Sequence, residues 1–240
     1  MEIQFITTAN TMRFDDLCNE LSSPQSHIGP SLGMVTGNAG RGKSEAAKHY
    51  ATQTDAIYIP PISPRSPGML LREITFELGQ TRPSRLEACF AVIGDEMAKD
   101  RRLIIIDEAD LLPMNILEML RNINERYSCP IVLIGEEALR GKIASRRRLA
   151  SRIRRQLELA PVTQEDVAFF FSKCMGLKLS KDMTAPIQRH GKGEWRPVLT
   201  LAVAIERAMT ASGITEITPD LVLEVIKSET EKDANKKKSA

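Results

Sequence analysis

Gly37-Asn38-Ala39-Gly40-Arg41-Gly42-Lys43-Ser44 fits the pattern G-x-x-x-x-G-K-[ST], and the residues on either side of it decide the fold. Residues 32–36, Leu-Gly-Met-Val-Thr, read as a short buried strand, and residues 45–52 read as a helix. A strand, a glycine-rich loop and a helix in that order make a phosphate cradle. The glycines let successive backbone N–H groups turn inward on an anion, and the helix N-terminus adds the positive end of its dipole. Lys43 supplies a point charge for β and γ phosphates, and the Ser44 hydroxyl is a ligand for Mg²⁺. The candidate nucleotide-binding residues are therefore Gly37, Asn38, Ala39, Gly40, Arg41, Gly42, Lys43, Ser44 and Glu45, with a triphosphate and Mg²⁺ as the ligands.

Further along, Leu103-Ile104-Ile105-Ile106 reads as a central parallel strand buried on both faces, and Asp107-Glu108 emerge at its C-terminal end, where open α/β sheets bind ligands. Asp107 is placed to hold Mg²⁺, and Glu108 to polarise a water for attack on the γ-phosphate. Residues 107–110 also spell Asp-Glu-Ala-Asp. A helicase of the class named for that tetrapeptide needs two similar α/β cores, and no second phosphate loop or internal repeat follows.

The stretch between the two motifs alternates strand and helix. Residues 56–59 read as a strand closed by Pro60-Pro61, and a loop through Pro64 and Arg65 follows. Ser66 and Pro67 open a helix to about residue 78 on Met69, Leu70, Ile74 and Leu78. A second helix runs over 84–98 with Leu86, Phe90, Ile93 and Met97 on one face. Residues 113–127 continue as a helix and 131–134 as another buried strand. The predicted class is α/β, a P-loop core whose parallel sheet is flanked by helices and followed by a small all-helical lid. The fourth strand ends in Gly135-Glu136-Glu137, where a polar side chain would face the γ-phosphate; a carboxylate there is repulsive without a metal, water or basic partner.

Composition excludes several classes. With 42% hydrophobic and 27% charged residues in 240, the chain is an ordinary globular protein, and a net charge of +2 leaves nucleic-acid binding to local charge. That local charge lies in residues 140–155, which hold Arg140, Lys142, Arg146, Arg147, Arg148, Arg152, Arg154 and Arg155. A solvated helix face, an arginine reaching the nucleotide of an adjacent subunit, and a contact with a phosphate backbone all fit such a run. Cys18, Cys89, Cys129 and Cys174 form no C-x-x-C pair, so neither zinc nor a disulfide framework is expected. No leader pattern and no run of 18 apolar residues occur, which predicts a cytoplasmic protein with no membrane partner.

The expected division is an N-terminal segment over 1–27 with a helix at 11–21, a nucleotide-binding core over 28–160, a helical lid over 161–228, and a disordered basic tail over 229–240. Residues 156–159 read as the last strand, and Thr163 with Asp166 as a helix start. Lid helices are expected at 164–175, 180–189, 195–211 and 219–231. Gly193-Glu194-Trp195-Arg196-Pro197 interrupts that pattern and puts Arg196 at the start of the lid's longest helix, either pointing back to the nucleotide or lying on the surface.

Over residues 28–228 the chain resembles an AAA+ ATPase, and within that superfamily the DNA transposition regulators, the phage Mu B protein and the TnsC-like ATPases. Residues 37–44 match Walker A and 103–108 match Walker B. Ser151-Arg152-Ile153 matches the arginine-finger region, which favours Arg152 over Arg146, Arg147 and Arg148, and residues 193–196 resemble sensor 2. The strand before Gly135-Glu136 resembles the one that carries sensor 1, without its usual Asn or Thr. Members similar to the Mu B protein often carry an extra N-terminal DNA-binding domain; with 27 residues ahead of the core it is expected to be absent here.

The resemblance implies a slow ATPase, stimulated by DNA or a partner, that binds duplex DNA without regard to sequence. It implies a homo-oligomer or helical filament with ATP at subunit interfaces, and activation of a transposase on target DNA. Glu108, Arg152 and Arg196 would be catalytic, Ser44 and Asp107 would hold the metal, and Arg65, Arg72 and Arg146 to Arg148 are the candidate DNA contacts. Two other readings compete: a helicase loader similar to the DnaC or IstB-like group, and a scaffold that uses ATP without hydrolysing it.

Overall fold

The computed structural model describes residues 4–23, 28–61 and 66–238, with side chains described through 232. The chain divides into two compact units, one of Ala9–Asn38 and Lys43–Leu159, the other of Met1–Thr8, Ala39–Gly42 and Ala160–Ala240.

The larger unit is built on β1 (Leu32–Thr36), β2 (Ile57–Ile59), β3 (Ile104–Ile106), β4 (Ile131–Ile134) and β5 (Ile153–Glu158). They form one sheet in the order β2-β3-β4-β1-β5, parallel throughout, with Ile104 opposite Ile131 and Leu32 opposite Ile131 on the other side of β4. β1, β3 and β4 are buried at every position, as their unbroken apolar runs require. Because side chains alternate along a strand, the two faces receive different residues. Ile104, Ile106, Leu133 and Met34 join the core under α3 (Pro67–Gly79), α4 (Leu86–Lys99) and α5 (Met114–Tyr127). Ile105, Val132, Ile134 and Val35 pack on the other face with Phe14, Leu17 and Leu21 of α1 (Ala9–Ser22) and Ala46, Ala47 and Tyr50 of α2 (Lys43–Gln53).

Local signals set the boundaries well where capping chemistry is strong. Ser66 accepts from Met69 N at 3.2 Å at the head of α3, with Pro67 at the first helical position. They failed in the basic stretch. α6 (Glu137–Ala144) and α7 (Arg147–Ala150) occupy its first part, and β5 starts at Ile153 rather than at residue 156. β5 is an edge strand whose exposed Arg154, Arg155 and Gln156 hide its period, and charged edge positions are what keep such a strand from pairing with another chain.

The smaller unit holds α8 (Gln164–Met175), α9 (Lys181–Gly191), α10 (Trp195–Ser212) and α11 (Pro219–Lys238) around a core of Val167, Phe170, Phe171, Ile187, Val198, Leu201, Ile205 and Val222. α8 opens with a complete capping box: Asp166 N donates to Thr163 Oγ1 at 3.1 Å and Thr163 N to Asp166 Oδ2 at 2.9 Å. Two expectations change here. α11, with 20 residues, exceeds α10 with 18, so Arg196 does not start the longest helix. The stretch from 229 to 238, expected as a disordered tail, continues α11; Glu, Lys and Ala favour helix, and Lys232 pairs with Glu229 one turn back at 2.7 Å. No helix among the described residues is long and apolar enough to cross a membrane.

Candidate nucleotide site

β1 ends at the buried Thr36, and α2 begins at Lys43 after the six-residue loop 37–42. Gly40 sits at φ +72, in the left-handed region that a side chain resists, and a Cβ there would stand 2.8 Å from Glu194 Cβ. Lys43 Nζ donates to Gly37 O at 2.7 Å and to Asn38 O at 2.8 Å, so its charge lies over the loop it belongs to. Ser44 is the second residue of α2, and Glu45 turns outward to pair with Lys48 at 2.9 Å.

Asp107 is 5% exposed at the end of β3, and both of its oxygens are engaged. Glu108 N donates to Oδ1 at 2.8 Å, and the Tyr58 hydroxyl donates to Oδ2 at 2.7 Å. Tyr58, on β2, also lies beside the Ser44 side chain. Burial first, then the hydrogen bond to Asp107, push the phenol above its usual range, so it stays a donor. Glu108 is exposed and left-handed at φ +48, a conformation that costs a non-glycine residue about 1 kcal/mol and directs its N–H onto Asp107. Ser44 and Asp107, both beside one phenol, are hard oxygen donors of the number Mg²⁺ takes from protein when phosphates and water complete its shell; the residues fit that ion.

At the end of β4 the structure accounts for the residue that replaces the expected polar group. A Cβ on Gly135 would meet Asp110 Oδ1 at 2.5 Å. That same oxygen accepts from Glu136 N at 3.2 Å, and Lys142 Nζ donates to Asp110 O at 2.5 Å and Leu112 O at 2.8 Å. The carboxylate next to this strand end therefore comes from Asp110, while the Glu136 side chain is exposed. Arg140 reaches back from α6 to Thr36 Oγ1 at 3.3 Å and Glu158 Oε2 at 3.0 Å, beside the strand end from which the loop departs.

The arginines of the basic stretch part company. Arg152 Nε pairs with Glu125 of α5, while Arg155 pairs with Glu20 at 2.9 Å, and Arg154 lies 3.7 Å from it. Arg146, Arg147 and Arg148 are exposed, form no ion pair among the described residues, and line an open cleft of about 770 Å³ with Met114, Asn115, Met119 and Asn122 of α5. Arg72 donates to Ser84 O at 3.4 Å, and Arg65 lies outside the described residues.

In the smaller unit, Trp195 N donates to Gly40 O at 2.7 Å, and the Trp195 indole lies 3.5 Å from where a Gly42 Cβ would stand. Arg196, the next residue, is exposed. Sequence reading missed Tyr58, Asp110 and Arg140 as parts of the site. Asp110 carried a signal, as the last letter of Asp-Glu-Ala-Asp; Tyr58 and Arg140 touch partners 49 and 104 positions away.

A family model described as an AAA domain matches residues 27–143. The chain is 31% identical over 146 residues to the ATP-dependent target DNA activator B of Escherichia phage Mu, covering 57% of this chain and 47% of that one. It is 32% identical over 113 residues to the Mu-like prophage FluMu DNA transposition protein B of Haemophilus influenzae, covering 46% and 39%. The chain thus spans less than half the length of these relatives. Among solved structures, the Aeropyrum pernix ORC2 protein superposes with a TM-score of 0.68 at 15% identity over 94% of this chain and 68% of that one. The Thermotoga maritima RuvB Holliday junction branch migration motor gives 0.62 at 19% over 93% and 70%. Both likenesses are of fold.

Proposed function

From a chain that has the AAA+ P-loop fold and resembles the Mu-type transposition B proteins, we propose an ATP-dependent DNA-binding regulator of transposition that hydrolyses ATP to ADP and phosphate. The observation that carries the nucleotide half is the convergence of Ser44 and Asp107 on Tyr58 beside a loop topped by Lys43. Gly37 to Ser44 cradle the phosphates through backbone N–H groups, and Lys43 turns from its own carbonyls to the β and γ oxygens. Ser44 and Asp107 would hold Mg²⁺, which would supply positive charge beside those oxygens. Glu108 orients and polarises the attacking water.

Arg196 follows Trp195, which is bonded to Gly40, and this adjacency supports its reading as the lid's phosphate sensor. Arg152 acts on the nucleotide of the next subunit in the proposed assembly, exchanging Glu125 for phosphate. ATP at subunit interfaces then favours a homo-oligomer on duplex DNA, and its hydrolysis releases it. A transposase is the proposed partner, because both relatives are named for target DNA activation or transposition. No observation favours a helicase loader.

The DNA half rests on the cleft between α5 and α7. Three adjacent guanidinium groups that form no ion pair among the described residues, in a cleft whose one carboxylate, Glu118, is paired with Arg121, suit a phosphate backbone, which carries no base information and so predicts sequence-independent binding. Replacing Arg146, Arg147 and Arg148 together with alanine should weaken ATP-dependent duplex binding equally for unrelated sequences. The log–log salt slope should fall in magnitude by about 0.9 per lost phosphate contact. A wild-type slope in that variant would move the DNA contacts elsewhere.

A further inference from the structure

Tyr58 belongs to neither sequence motif, yet its side chain stands between them. Its hydroxyl donates to Asp107 Oδ2 at 2.7 Å and lies beside Ser44, so one phenol stands between the residue at the end of β3 and the second residue of α2. Its ring is held from below by pairing of β2 with β3, Tyr58 opposite Ile105 and Ile59 opposite Ile106, and Asp107 N donates to Ile59 O at 3.1 Å. The carboxylate is thus located by two backbone hydrogen bonds, from Glu108 N to Oδ1 and from Asp107 N to the neighbouring strand, and by a single side chain.

A carboxylate has about four lone-pair sites. Glu108 N and the Tyr58 hydroxyl occupy two, which leaves one on each oxygen for a metal ion or its water. The phenol therefore need not leave when metal arrives, and its effect is to prevent rotation of Asp107.

We propose that Tyr58 is a positioning residue that holds the Asp107 carboxylate, beside Ser44, in the orientation Mg²⁺ requires before the ion binds. This inference rests on the reading of Ser44 and Asp107 as the metal-holding pair. Outer partners of this kind change metal affinity by about 10- to 100-fold when removed.

The test is the ratio of ADP affinity in excess Mg²⁺ to ADP affinity in EDTA, measured by calorimetry on the full chain, for wild type, Tyr58→Phe and Asp107→Asn. Tyr58→Phe should keep the EDTA affinity and lower the ratio about tenfold. Asp107→Asn should lower it at least as far, and adding Tyr58→Phe to Asp107→Asn should change little more. A wild-type ratio in Tyr58→Phe, with Asp107→Asn reduced, overturns the inference alone. A ratio above wild type overturns it in the opposite sense, by making the phenol a competitor of the metal. A fall in EDTA affinity with an unchanged ratio makes Tyr58 a packing residue and also overturns it. A wild-type ratio in Asp107→Asn rejects the metal-pair reading itself.

Discussion

Lys43→Ala should abolish measurable ATP binding while the protein remains folded. In the structure the ammonium group donates to two carbonyls of its own loop, Gly37 O and Asn38 O, rather than to a group of the hydrophobic core. What the variant loses is the one positive side chain that the phosphate-loop pattern assigns to the β and γ oxygens. Truncating one partner of a hydrogen-bonded charge pair costs about 2–5 kcal/mol, which weakens binding by roughly two to three orders of magnitude. Calorimetry or ATP-induced thermal stabilisation reads this directly. Wild-type nucleotide affinity in Lys43→Ala would remove the loop from the site.

Glu108→Gln separates binding from chemistry. The side chain is exposed, the substitution preserves its size, and the backbone N–H that locates Asp107 is untouched, so ATP should bind as in wild type. Glutamine cannot take a proton from water, and loss of a general base lowers turnover by about 10²- to 10⁴-fold. If hydrolysis ends the DNA-bound state, the same variant should stay on duplex DNA after wild type has dissociated. Normal phosphate release by Glu108→Gln would take the water-activating role from this residue.

The sequence made the catalytic strip legible because its chemistry is local. Residues 37–44 are a contiguous motif, and Ile104-Ile105-Ile106 fits a strand buried on both faces, as the structure has it. Ser66, Pro67 and Thr163 named their helices through capping chemistry that spans three residues. Legibility failed where a residue's role is set by a distant partner. Tyr58 looks like any β-forming aromatic until Asp107 is brought to it from 49 positions away. Gly135 looks like a missing sensor until Asp110 is seen in the space its side chain would take. β5 was shortened because Arg154 and Arg155 give an edge strand the composition of a solvated helix face. The arginine run shows the same limit: eight basic residues look alike in sequence, and only the fold separates the paired Arg152 and Arg155 from the unpaired Arg146 to Arg148.

These features describe a site completed in stages. Asp107 is fixed within one chain by Tyr58, whereas Arg152 is proposed to act only on a neighbour and in this structure is occupied by Glu125. A nucleotide bound to a single copy would then turn over slowly, and assembly on DNA would complete the site. Electron microscopy of the protein with long duplex DNA, with and without ATP, tests that account most directly. It predicts continuous assemblies on DNA of unrelated sequence with ATP and bare DNA without it; closed rings that form regardless of DNA, or DNA coating that ignores ATP, would contradict it.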